Sequence, residues 1–283
     1  MSKTLPFFRH DGSLEVTIPS DDVRWTDFLY YSRRLNSEQK GWDYKSHWKN
    51  RGLEPLSNAE FLTRWTDASL HNSKAYPRPR PRDFKLGRDF SLERGAAADA
   101  CKKQGIVNCS ENSLNAHLFR NFRISRPASE SSCALNPFSG PLLAYEVPLC
   151  DDSDGQLKMD LLACDFTARQ LDIIELKQAK NTSNSPLMAL VEGICYGLQL
   201  WRCRNAILKE GKGAGLKLRP DDFKTLNLTI AAPEKYWHYW QCTGEQAKDV
   251  VKKMKTILTE VNKAKKLRGA EAVLKLRDFC VIK

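Results

Sequence analysis

An α/β fold is what this sequence predicts, on three observations. The chain has 283 residues and 41% hydrophobic composition, enough to bury a sizeable core. From about residue 96 the apolar patterning runs in the order α, β, β, β, α, β. Residues 1 to about 95 differ, with apolar positions at helical spacing and four of the seven tryptophans: Trp25, Trp42, Trp48 and Trp65. The expected organisation is a helical, Trp-rich N-terminal region over 1–95 and an α/β domain over 96–283.

In the first region, "VRWTDFLYYSRRL" carries a helical spacing of apolar residues. A second helix starts in "SNAEFLTRWTDASL", with Ser57 as N-cap and Glu60 at N3, a capping-box pattern. Between them, "KGWDYKSHWKNRG" interleaves aromatic and basic residues. That pattern suits base stacking with phosphate contacts, or equally a small aromatic core crossed by basic stems. Next, "YPRPRPRDFKLGRDF" alternates Pro and Arg, which forces an extended strap because Pro fixes φ and restricts its predecessor. It is the expected linker. Arg78, Arg80 and Arg82 on it are candidate phosphate contacts, although a basic linker need bind nothing.

In the second region a helix is expected through "SENSLNAHLFRNF", capped by Ser110, then a strand in "LLAYEVPL". A hairpin follows, with strands near 157–166 and 171–179. Ser185 and Pro186 start one long helix, "PLMALVEGICYGLQLWRCRNAI", since Pro is tolerated in a first turn. The Leu-rich and β-branched "TLNLTIAA" reads as a buried strand. Last comes an amphipathic helix, "GEQAKDVVKKMKTILTEVNKAKKL", whose Lys-rich face includes Lys252 and Lys253. Such a face is commonly just solvated; here it is also a candidate nucleic-acid track.

Composition narrows the function classes. The net charge is +11, from 45 Lys and Arg against 34 Asp and Glu. That surplus favours a polyanionic partner, nucleic acid first, against an even alternative of an inert basic surface. No apolar run reaches the roughly 18 residues that would span a bilayer, so no membrane partner is expected. The start "MSKTLPFFRH" has no signal-peptide pattern, and a soluble, cytoplasmic protein is expected. Nine cysteines without C-x-x-C pairs read as reduced intracellular thiols, most of them small core hydrophobes. "CKKQGIVNC" and "CYGLQLWRC" lack zinc-finger spacing. "EGKGAGLK" lacks the order of a phosphate-binding loop and reads as a flexible loop.

The hairpin "KMDLLACDFTARQLDIIELKQAK" raises the chemical question. Charged groups are rarely buried unless paired or coordinating, yet Asp160, Glu175 and Lys177 stand among Leu161, Leu162, Ile173, Ile174 and Leu176. Side chains alternate along a strand, so Glu175 and Lys177 share a face. With "TARQ" as the turn, Asp160 lies opposite Lys177 and Leu162 opposite Glu175, while Asp165 and Asp172 pair on the other face. Two adjacent carboxylates repel, and a hard divalent cation relieves the repulsion through oxygen coordination. Magnesium retains waters, one of which a nearby lysine can orient or help deprotonate for attack on a phosphodiester. The plain alternative is a cross-strand Asp–Lys pair contributing only about 0.2–1 kcal/mol.

The order of an acidic residue in a first helix, a strand, "KMDLL", "IIELK", a helix and a strand resembles the PD-(D/E)XK nuclease superfamily over roughly residues 105 to 235. The resemblance implies a restriction-endonuclease-like αβββαβ core, with a mixed central sheet flanked by helices. It makes Asp160 and Glu175 metal-binding acids and Lys177 the catalytic lysine. Glu111 would complete the metal site, with the Leu176 backbone carbonyl as a further ligand. Met159 stands where the family name has proline. On the next helix Glu192, Tyr196 and Gln199 share a face. "EGICY" is similar to the Gln-x-x-x-Tyr motif of RecB-like members, with Glu192 in place of Gln, and these three are expected to support the site.

The implied activity is Mg²⁺-dependent endonucleolytic hydrolysis of phosphodiesters, with Mn²⁺ able to substitute and DNA preferred to RNA. A homodimer would suit cutting of both strands, though no coiled-coil seam is evident. A non-catalytic nucleic-acid- or protein-binding module on the same fold is the competing expectation.

Overall fold

A computed structural model of the chain describes residues 4–6, 15–17, 27, 30–31, 44–53, 57–71, 92–124, 136–148, 158–267, 271–277 and 279–283. The Pro-Arg segment with Arg78, Arg80 and Arg82 lies outside the described residues, as do Trp25 and Trp42.

Strands β1 (Thr4–Pro6) and β2 (Glu15–Thr17) form a small antiparallel pair. Helices α1 (Tyr44–Asn50), α2 (Asn58–His71), α3 (Leu92–Gln104) and α4 (Glu111–Phe122) follow. Then come β3 (Leu142–Pro148), β4 (Lys158–Asp165) and β5 (Gln170–Leu176). Helices α5 (Pro186–Arg202) and α6 (Arg204–Gly213) lead to β6 (Thr225–Pro233). Helices α7 (Glu234–Tyr239) and α8 (Gly244–Leu267) precede β7 (Val273–Leu276) and β8 (Cys280–Ile282).

The protein is α/β, with a mixed six-stranded sheet flanked by helices. The order is β3-β4-β5-β6-β7, and β8 pairs with β6 beyond the end of β7. Strands β3–β4 and β4–β5 pair antiparallel, the latter through a four-residue turn, whereas the helical crossover makes β5–β6 parallel. Strand β5 is the pivot between the two regimes. All its residues but Gln170 are buried, which suits a strand covered on both faces.

Alternation along β4 and β5 sorts the core into two layers. Leu162, Cys164, Leu171 and Ile173 face α5 in a cluster that extends through α8 to Phe61 and Trp65 of α2. Leu161, Ala163, Ile174 and Leu176 face α4, whose Leu114, Leu118 and Phe119 close the other side. The N-terminal helices therefore share the main core. Trp48 is 2% exposed and packs with Tyr31 and Phe61, so its ring belongs to an aromatic core and is not offered for base stacking. Arg51, also buried, holds Asp27 through two hydrogen bonds of 3.0 and 3.1 Å.

Helix starts follow their expected caps. Ser57 and Glu60 form the reciprocal pair at α2, and Ser110 Oγ accepts from Ser113 N at α4. Ser185 Oγ accepts from Met188 N at α5 with Pro186 in the first turn. Removing that acceptor in Ser185→Ala should cost about 1 kcal/mol, lowering Tm by about 2–4 °C in thermal denaturation. Gly197 lets α5 lie close on the sheet: a Cβ there would stand 2.9 Å from Leu274 Cδ2 and 3.4 Å from Ile173 Cδ1.

Four expectations need correction. The hairpin turn is Phe166–Arg169, closed by Asp165 opposite Gln170. Asp165 Oδ1 accepts from Thr167 N and Ala168 N, and Arg169 turns through a positive φ of 56°, which selects this loop over "TARQ". Leu162 consequently pairs with Ile173, not Glu175, and Asp165 and Asp172 are not partners. A shift of two residues preserves the faces. The long helix breaks at Cys203, where Arg204 stacks on the Trp201 ring and donates to the Trp201 carbonyl. "EGKGAGLK" is the end of α6 followed by Gly215 at positive φ, rather than a loop throughout. Helix α3 and strands β7 and β8 were not expected, and residue 96 falls inside α3. Among the described residues no helix is long and apolar enough to cross a membrane.

Candidate active site

The β4–β5 ladder is paired from Asp165–Gln170 up to Leu161–Ile174 and no further. Continuing that register brings Asp160 level with Glu175, on the face shared by Leu162 and Ile173. There the backbone pairing is replaced by a side chain, because Asp160 Oδ2 accepts from Leu176 N at 2.8 Å. Strand β5 stays tied to β6 one residue longer, through Lys177 N to Ala231 O at 2.9 Å. The hairpin thus opens at the C-terminal end of β5 while its three ionisable residues remain anchored.

Lys177 is the hub. Its side chain is buried, and Nζ bonds Glu175 Oε1 at 2.5 Å and Glu192 Oε2 at 2.9 Å. Burial alone would lower its pKa, but Glu175, Glu192, Glu111 and Asp160 outweigh that and hold the ammonium well above its usual range. The acids are strained in the opposite sense. Burial, then repulsion from Asp160, pushes Glu175 well above the ordinary carboxylate range, with Lys177 only partly offsetting. Asp160 keeps a partly accessible edge, yet burial pushes its carboxyl up to about 7 against the pull of Lys177. Glu111, the first residue of α4, is raised by burial and accepts a hydrogen bond from the Gln178 backbone.

Among the described residues one ammonium therefore serves four carboxyls. Glu175 Oε2 is buried and has no hydrogen-bond partner. A buried carboxylate oxygen left unpaired is costly, and such frustration concentrates at functional sites. Among the described residues, no three His, Cys, Asp or Glu side chains already converge at metal-holding spacing. The acids close on Lys177 instead.

Of the supporting residues, Glu192 and Tyr196 reach the cluster and Gln199 does not. Tyr196 is buried, and burial followed by the charges of Glu175, Glu192 and Asp160 keeps its phenol neutral. Gln199 lies about two turns beyond Glu192 along α5, where its Oε1 accepts from Arg202 at 3.5 Å. Lys252 and Lys253 are exposed on α8, which packs on α2, α5 and β7. Sequence reasoning missed Tyr236 on α7. Burial raises its phenol, Lys177 pulls it down, and its hydroxyl donates to Asn184 O at 2.9 Å, pinning the loop before α5. "EKYWHY" carries no periodic signal that would have marked it.

The electrostatics fix a pH signature. Asp160 has a folded value of about 7 against an ordinary 3.8, so the fold favours its protonated form. Its contribution to stability is complete below about pH 4 and is lost as pH rises through about 7. Urea titrations in chelator should show stability falling across that window. A flat profile would mean that the carboxyl is well solvated.

Comparison with protein-family models, with curated proteins and with solved structures finds no match to this chain.

Proposed function

We propose that this chain is a metal-dependent nuclease of restriction-endonuclease-like fold, hydrolysing phosphodiester bonds in DNA in preference to RNA. The observation that carries the reading is the meeting of Asp160, Glu175 and Lys177 at the open end of the hairpin, with one buried Glu175 oxygen unpaired. The order of elements around it, the excess of basic residues and Glu111 arriving from α4 support the same reading.

The donor set fits a hard divalent cation. Carboxylates raised by burial and mutual repulsion gain most from positive charge beside them, and oxygen ligands suit magnesium or manganese. Asp160, Glu175 and Glu111 would hold the ion, with the Leu176 carbonyl. A bound magnesium ion polarises a phosphoryl oxygen and makes water a better nucleophile at neutral pH.

The chain's own residues do the rest. Lys177 is held protonated, so Nζ acts as a hydrogen-bond donor and fixed positive charge, orienting water or a phosphoryl oxygen rather than accepting a proton. Glu192 steadies that ammonium from α5. The Leu176 amide fixes the Asp160 carboxylate, and Leu162 and Ile173 keep the floor of the site dry.

A cleavage assay on single- and double-stranded DNA and RNA, with Mg²⁺, Mn²⁺ or chelator, tests the proposal. Metal-dependent cutting, DNA over RNA, is the expected result. Salt-sensitive binding without cutting of any substrate would favour a non-catalytic binding module.

A further inference from the structure

Away from the acidic cluster, a second reactive pair stands on the layer formed by α3 and α4. Cys101 in the last turn of α3 and Cys109 in the following turn bring their Sγ atoms to 2.7 Å. Both are free thiols, 0% and 3% exposed. Gly105, at φ 76°, reverses the chain between them, and its amide bonds the Cys101 carbonyl at 2.9 Å. The backbone thus holds the two sulfurs together independently of any bond between them. A disulfide needs a separation of about 2.05 Å, so closure requires a sub-ångström movement. The other cysteine pair of equal spacing, Cys195 and Cys203, lies in and just after α5 without such a reversal.

We infer that Cys101 and Cys109 are a redox pair, converted by hydrogen peroxide into a disulfide that locks the α3–α4 turn. The Cys109 thiolate attacks one peroxide oxygen; the O–O bond breaks, and the departing oxygen leaves as water after taking a proton. The resulting sulfenic acid is attacked by Cys101 sulfur, the S–O bond breaks, and the oxygen leaves as a second water with the Cys101 proton. Two thiols are oxidised by two electrons, and one peroxide is reduced to two waters.

Burial pushes the Cys101 thiol up to about 12, so the reaction waits on opening of the exposed turn that contains Gln104 and Gly105. The pair therefore behaves as a slow lock rather than a fast sensor. Its position matters for the candidate active site. Cys109 directly precedes the cap Ser110, and Glu111 is the first residue of α4. Oxidation would fix the point from which Glu111 enters the acidic cluster, a consequence that rests on the nuclease reading, whereas the disulfide itself does not.

Full-length protein treated with hydrogen peroxide, then alkylated under denaturing conditions and mapped by mass spectrometry, tests the pair without any cleavage readout. The expected product is a peptide cross-linked between Cys101 and Cys109, two hydrogens lighter, with Tm raised by on the order of 5 °C and restored by dithiothreitol. Cys101→Ser should lose both changes. Recovery of both cysteines alkylated while other thiols oxidise would overturn the inference. So would accumulation of Cys109 sulfinic acid without a cross-link.

Discussion

Lys177→Met is expected to reduce metal-dependent cleavage by about 10²–10⁴-fold while nucleic-acid binding persists. Methionine keeps the length of the side chain and removes the charge. What is lost is the Lys177 ammonium, which the structure sets between Glu175 and Glu192, at 2.5 and 2.9 Å. Breaking a buried ion pair from one side typically costs about 3–5 kcal/mol. Here the cost should fall toward the low end near pH 6, because the Asp160 carboxyl, raised by burial to about 7, is already largely protonated there, and burial raises Glu175 and Glu111 in the same direction. It should grow as the pH rises and those protons leave. Cleavage rates, fluorescence anisotropy with labelled DNA, and melting at two pH values separate the effects. Lys177→Arg supplies the control: it restores charge, and with it part of the stability, but its planar fork does not fit a pocket built for a point charge. Cleavage by Lys177→Met at the wild-type rate would place the chemistry elsewhere.

The elements that carry the acidic cluster were legible because their signals are local. Ser57 with Glu60, Ser110, and Ser185 with Pro186 mark three helix starts, and each cap forms as its pattern implies. Leu171, Ile173, Ile174 and Leu176 marked β5 as a strand, although they did not show that both of its faces are covered. What the sequence could not carry was register. Whether Asp160 meets Lys177 or Glu175 depends on the conformation of Arg169 and on the Asp165 side chain gripping the turn. Neither is visible in periodicity. The faces came out right because an error of two residues leaves a strand's alternation intact. Strands β7 and β8 escaped because they are four and three residues long and, among the described residues, pair only with β6. The cluster's membership was largely legible: three members lie on one hairpin and Glu192 was expected from the helix that follows, whereas Tyr236 arrives from a short helix whose pattern speaks only of packing.

The opposite face of β5 carries a second buried acid, and its contrast with the first yields the other large expected effect. Asp172 is fully buried, yet three donors satisfy it: Thr229 Oγ1 at 2.5 Å, Arg277 Nη1 at 3.0 Å and Ser139 Oγ at 3.1 Å. These donors come from β6, from the residue that follows β7 and from the segment before β3, so one carboxylate clasps three distant stretches of chain. Asp172→Ala should therefore cost about 3–5 kcal/mol, read as a lower urea midpoint, because it strands two hydroxyls and a guanidinium. Arg277 is partly exposed and can turn toward water, which favours the lower end. Asp172→Asn, keeping the shape and one acceptor, should recover part of the loss. Cleavage per folded molecule should not change in either variant, since alternation along β5 points Asp172 away from Lys177. A loss of cleavage that outruns the loss of folded protein would mean that the two faces are coupled through the strand. An acid with a full set of donors holds the fold together; four acids sharing one ammonium, with an oxygen left over, form a place where charge is still wanted.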